Sequence, residues 1–114
     1  MLFHIISKDD WRDAENGDVY APPGFEVEGF IHLSQRSQIL RPANLLYRDR
    51  DDLVLLVIDP ERVENRVVFE PGSHGESEHF PHLYGALNID AVLSVVDFPC
   101  GEGGGFELPD ELPG

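Results

Sequence analysis

The sequence predicts an α+β fold of about five or more strands, with two helices in its N-terminal half. Three observations predict it. The run Leu53-Val54-Leu55-Leu56-Val57-Ile58 is apolar on both faces and reads as a central strand. Two stretches with helical spacing, after residue 8 and after residue 34, both precede that run. The elements then alternate irregularly, without the regular succession of βαβ winding.

Leu2 to Ile6 reads as a buried strand with His4 as its one polar member. Ser7 suits a helix N-cap, and Asp9 and Asp10 favour the positive end of the first turn. A helix from Asp9 to Asn16 places Trp11 and Ala14 on one face, and Gly17 stops it. Residues 18–29 are expected to be an irregular loop, because Pro22-Pro23-Gly24 breaks helix and ladder alike. Val19 and Tyr20 form at most a brief edge. A loop of this length covers a site or simply connects two elements.

Gly29-Phe30-Ile31-His32-Leu33-Ser34 reads as a short strand with one polar side chain in an apolar run. Ser34 then suits the N-cap of a helix from Gln35 to Tyr47. Ile39, Ala43 and Leu46 form its stripe, with Leu40 and Tyr47 beside it. Pro42 predicts a bend or two short pieces. Arg48 to Asp52 is a charged turn, and Asp59-Pro60 caps a helical turn. Arg66 to Glu70 is a strand, and residues 71–82 are a polar, glycine-containing loop. Leu83 to Leu87 is apolar, and Ala91 to Phe98 is a last strand. Residues 100–114 are expected to be a mobile Gly/Pro-rich tail that Phe106 and Leu108 pin to the body. No repeat or linker divides the chain, so residues 1–114 read as a single domain.

The bulk composition narrows the function. The chain has 114 residues, 41% of them hydrophobic and 26% charged, which is globular and not disordered. Its net charge is −14, from 22 acidic and 8 basic residues. Such a surface repels phosphate backbones and anionic lipid heads, which argues against DNA, RNA and membrane partners. Solubility is the simpler explanation of the acidity. The one cysteine, Cys100, forms no internal disulfide and fits a reducing compartment. Met1 to Ile6 lacks the basic flank of a signal peptide, and no apolar run approaches a membrane span. The expectation is a cytoplasmic protein.

Four residues are polar within or beside apolar strands: His4, His32, Glu70 and His82. A pocket of imidazoles and a carboxylate suits a ribose-bearing or phosphorylated ligand. The carboxylate holds sugar hydroxyls or steadies a developing cation, and the imidazoles donate to oxygens. His32 also has a plain explanation, a core imidazole satisfied by backbone groups. His74, His79 and His82, with Glu76 and Glu78 between them, raise a metal alternative. That run lacks a helical i, i+4 pair and cysteine partners, so no metal is expected. Cys100 has no paired base near it in sequence. The glycines at 101–105 follow no strand and open no helix, so they form no phosphate loop.

Several blocks carry a resemblance. Phe3-His4-Ile5, Glu28-Gly29-Phe30-Ile31-His32-Leu33-Ser34, Gln38, Ala43-Asn44, Leu55-Leu56-Val57-Ile58-Asp59, Phe69-Glu70 and Phe80-Pro81-His82-Leu83-Tyr84-Gly85 resemble the bacterial family numbered 952 among the domains of unknown function. Gly105-Phe106-Glu107-Leu108-Pro109 also fits. The likeness covers nearly the whole chain. It implies a fold similar to the ADP-ribosyltransferases, with small curved, split sheets around an NAD cleft. More distantly, His4, Ile31-His32-Leu33 and Val57-Ile58-Asp59 resemble blocks of the RNA 2'-phosphotransferases. By that likeness, NAD is the substrate nucleotide. His4 and His32 face its ribose or pyrophosphate, and Glu70 is the acidic residue. Ser34 bonds nicotinamide or ribose, Phe30 or Tyr84 stacks on a ring, and His82 supports the site from the second loop. The chain departs from the phosphotransferases at Gly29 and at Ile5, where arginine and Gly-Thr are usual. That departure opposes an RNA substrate and leaves a non-catalytic binding module of the same fold as the alternative.

Overall fold

Side-chain alternation along the run at 53–58 sets the architecture. In chain order the computed structural model, which describes residues 1–72 and 77–113, has strand β1 (Leu2–Ser7), helix α1 (Lys8–Ala14), β2 (Val19–Tyr20) and α2 (Phe25–Glu28). There follow β3 (Ile31–His32), a 3₁₀ turn (Arg36–Gln38), α3 (Leu40–Leu46), β4 (Leu53–Ile58) and β5 (Arg66–Pro71). The chain closes through β6 (His79–Tyr84), β7 (Leu87–Asn88), a second 3₁₀ turn (Ile89–Ala91) and β8 (Val92–Asp97). The α+β class is as expected. Among the described residues the strands form three small antiparallel sheets, ordered β1-β4-β8, β2-β7 and β3-β6-β5.

All six residues of β4 are buried, and it lies between β1 and β8. Its even residues Val54, Leu56 and Ile58 join Leu2, Ile6, Ile31 and Leu83 in one core. Its odd residues Leu53, Leu55 and Val57 join Phe3, Ile39, Phe98 and Phe106 in a second core on the other face. A strand buried on both sides has no room for polar alternation, which is why its sequence is continuously apolar. Truncating such a residue to alanine costs about 2–5 kcal/mol.

The helices match their signals in part. Ser7 caps α1 by accepting from the Asp10 N–H at 3.1 Å. Residues 18–29 are not wholly irregular. A single turn of helix, α2, is wound between Gly24 (φ 85°) and Gly29 (φ 83°), both in the left-handed region that glycine enters without cost. The helix expected from Gln35 is two pieces, but the break falls before Pro42. That proline stands in the first turn of α3, where no N–H is needed. Leu46 is half exposed and does not complete the buried stripe of Ile39 and Ala43. Ser34 is not an N-cap either. Gln35 takes that place, and its N–H donates to the Gln38 side chain at 2.9 Å.

The 71–82 loop is a further correction. Its last four residues, His79 to His82, are the first four of β6. Gln38 anchors that strand from below, its amide donating to the His79 carbonyl at 2.7 Å and to Glu78 at 3.0 Å. The tail is pinned as expected by Phe106, whose ring stacks on Phe98 at 4.8 Å. Leu112 is the other buried tail side chain, while Leu108 packs at the edge of the second core. No helix among the described residues is long and apolar enough to cross a membrane.

Candidate functional site

The segment from Ile31 to Ser34 belongs to two sheets at once. Ile31 and His32 pair with Leu83 and His82 of β6. Two residues on, Ser34 pairs with Phe3 of β1 through two backbone hydrogen bonds of 2.8 Å. Among the described residues, the sheets β1-β4-β8 and β3-β6-β5 are therefore joined by the Phe3–Ser34 bridge. A cavity of about 400 Å³ opens there, a size that suits a small-molecule ligand.

Strand alternation decides what faces this cavity. On β6 the odd residue Leu83 enters the first core, which turns Phe80 and His82 to the cavity. His32 is the direct cross-strand partner of His82, so both rings lie on one face, with centroids 5.3 Å apart. On β1, His4 shares its face with Leu2 and Ile6 and reaches the cavity from the other sheet. Phe30 stacks on His82 at 4.2 Å and 18°, and meets His32 edge-on at 4.8 Å. Ser34 lines the floor. Five residues expected from the sequence, His4, Phe30, His32, Ser34 and His82, thus converge.

Glu70 and Tyr84 do not line the cavity; they stand behind His82. Glu70 Oε1 lies 2.9 Å from His82 Nδ1 and also accepts a short hydrogen bond from the Tyr84 hydroxyl. These two bonds hold the Glu70 carboxyl below the usual carboxylate range, with the Tyr84 contribution the larger. The same contact pushes the Tyr84 hydroxyl up. A carboxylate accepts only, so the proton of neutral His82 sits on Nδ1. Its other nitrogen, Nε2, is buried with no hydrogen-bond partner among the described residues.

His4 is bound differently. Its Nδ1–H donates to the His32 carbonyl at 2.8 Å. Burial lowers its pKa from 6.5 to about 4, only partly offset by that hydrogen bond, so the ring is neutral at pH 7. Tyr20, 5.8 Å away, is pushed up to about 12 by its own burial.

Residues not assigned to the site from sequence complete the wall. Glu28, at the end of α2, meets His32 Nε2 at 2.5 Å. Phe25 and Glu28 bring the 18–29 segment over the cavity mouth. The spacing Glu28 to His32 was a usable signal, four residues apart across a glycine. Arg50 came from a turn read only as charged. It lines the cavity but is held by Asp52 through bonds of 2.9 and 2.7 Å. In the metal alternative, His74 and Glu76 lie outside the described residues. His79 and His82 fall on opposite faces of β6, which separates that pair. No group of three or more potential metal ligands is assembled among the described residues.

Solved structures share this fold. Two crystal structures of protein CC0527 from Caulobacter crescentus, one of them a double mutant, are 27% identical to the chain. They match it with a TM-score of 0.81 over 93% of this chain and 92% of that one. A solution NMR structure of CC0527 is 28% identical, with a TM-score of 0.76 over 97% and 95%. No curated protein matches the chain in sequence. The model of a family described as protein of unknown function (DUF952) matches residues 5–95, and the chain belongs to that family.

Proposed function

We propose that the cavity binds a nicotinamide nucleotide and cleaves it at the ribosyl carbon, transferring ADP-ribose as an ADP-ribosyltransferase does. One observation carries the reading. The Phe3–Ser34 bridge joins two small sheets, and histidines from both line the cavity beside it. In this reading His4, neutral and fixed through Nδ1, offers Nε2 to a ribose hydroxyl. Ser34 adds a second polar contact at the floor. Phe30 packs on the nicotinamide ring, and the Glu28–His32 pair flanks the ribose, where positive charge develops as nicotinamide leaves. Glu70 acts through His82 and not on the ligand.

A second reading, a non-catalytic module for a nucleoside, has its own support. Among the described residues Arg50 is the lone arginine lining the cavity, and Asp52 already pairs with it. A pyrophosphate would find little free positive charge there.

Incubation with NAD separates the outcomes. Saturation-transfer NMR reports contact, and the same tube reports free nicotinamide. Contact with release supports the enzyme, contact without release supports the binding module, and no contact at millimolar NAD overturns both for this nucleotide.

A further inference from the structure

We infer that His82 is the base that activates the acceptor, and that the acceptor is an O–H nucleophile, either water or an alcohol hydroxyl. The inference rests on the ribosyl-transfer reading above and extends it to the group that receives the ribose.

Three observations lead there. His82 is only 2% exposed, yet it lines the cavity and its Nε2 has no hydrogen-bond partner among the described residues. A buried acceptor left unpaired costs stability, and the cost is explained when that atom does the chemistry. Its lone pair is fixed on Nε2 because the Glu70 carboxylate, 2.9 Å from Nδ1, accepts only. Glu70 is itself fixed by the Tyr84 hydroxyl. This is the arrangement of a base oriented from behind by a carboxylate. Finally, Phe30 stacks flat on the face of the His82 ring at 4.2 Å and 18°, which fixes the ring plane and leaves the in-plane Nε2 lone pair free of that contact.

The step balances. The acceptor O–H gives its proton to Nε2 as its oxygen forms a bond to the ribosyl C1'. The C1'–N bond breaks, and its electron pair stays on the nicotinamide nitrogen, which leaves neutral. Glu70 faces the imidazolium that results, and the proton then passes to water. A carboxylate acceptor is already ionised and needs no base. A protonated guanidinium offers no lone pair without a stronger one.

The test uses the full chain with NAD in water and in water–methanol mixtures. Wild-type protein is expected to give nicotinamide with ADP-ribose, and with methyl ADP-ribose as methanol rises. His82→Asn retains a donor near Glu70 but has no base. Its nicotinamide release should fall by about 100-fold or more while NAD contact persists. Glu70→Gln tests the positioning role, with kcat about tenfold lower at unchanged KM. Nitrogen-15 shifts of the His82 ring report the tautomer without any turnover. An Nε2–H tautomer in the wild type overturns the inference, as does release by a folded His82→Asn variant within threefold of wild type. Absence of nicotinamide from the wild type is a different failure, that of the ribosyl-transfer reading, and this inference falls with it.

Discussion

His4 and His82 are both buried, both donate from Nδ1 and both face the same cavity from opposite sheets. They differ in what accepts the proton. For His4 it is a neutral backbone carbonyl, and for His82 it is a carboxylate. A carbonyl supports charge on the ring too weakly to offset the burial of His4, whereas a carboxylate carries a full opposite charge to set against the one gained when the far nitrogen takes a proton. In the proposed reading one histidine binds and the other transfers a proton, and the acceptor behind each ring sets the difference.

The largest expected effect breaks this comparison on the His4 side. Burial lowers the His4 pKa to about 4 in the folded protein from its ordinary value of 6.5. Above pH 6.5 the ring is neutral in both folded and unfolded chains, and stability is independent of it. As pH falls from 6.5 to 4 the unfolded chain binds a proton that the folded one refuses, so folding is progressively disfavoured. The loss is about 3 kcal/mol across that window. Urea unfolding between pH 7 and 4.5 should show it, and His4→Gln should flatten the slope. An equal slope in the variant contradicts the assignment of His4 as a ring buried neutral.

A smaller effect sharpens the His82 side. Tyr84→Phe removes one donor to Glu70 and leaves the Glu70–His82 bond in place. Turnover should fall by about fivefold, the equivalent of about 1 kcal/mol for one hydrogen bond. The KM for NAD should not change, because Tyr84 does not line the cavity. A rise in KM with constant kcat would return Tyr84 to the ring-stacking place that the sequence suggested.

The same contrast shows what the sequence could reveal. β4 was legible because burial on both faces leaves a continuous apolar run, and His4 and His32 were legible as polar interruptions of such runs. Glu70 was legible as a residue but not as a role. Its position behind His82 is a diagonal across β5 and β6, and only register fixes a diagonal. β6 was half hidden because proline argues against a central strand, and Pro81 stands in one. The two-residue strands β2, β3 and β7 are too short to carry a period. The bridge from Phe3 to Ser34 joins residues 31 positions apart, and it makes the cleft. No local pattern encodes a contact of that kind.

Ring-proton NMR of the histidines during an NAD titration tests the central claim most directly, because it reads the cavity without requiring turnover. His4, His32 and His82 are expected to shift together with one affinity, while His79, exposed and outside the cavity, stays still. Movement of His79 alone, or no movement at millimolar NAD, would contradict a nucleotide site in the cleft between the two sheets.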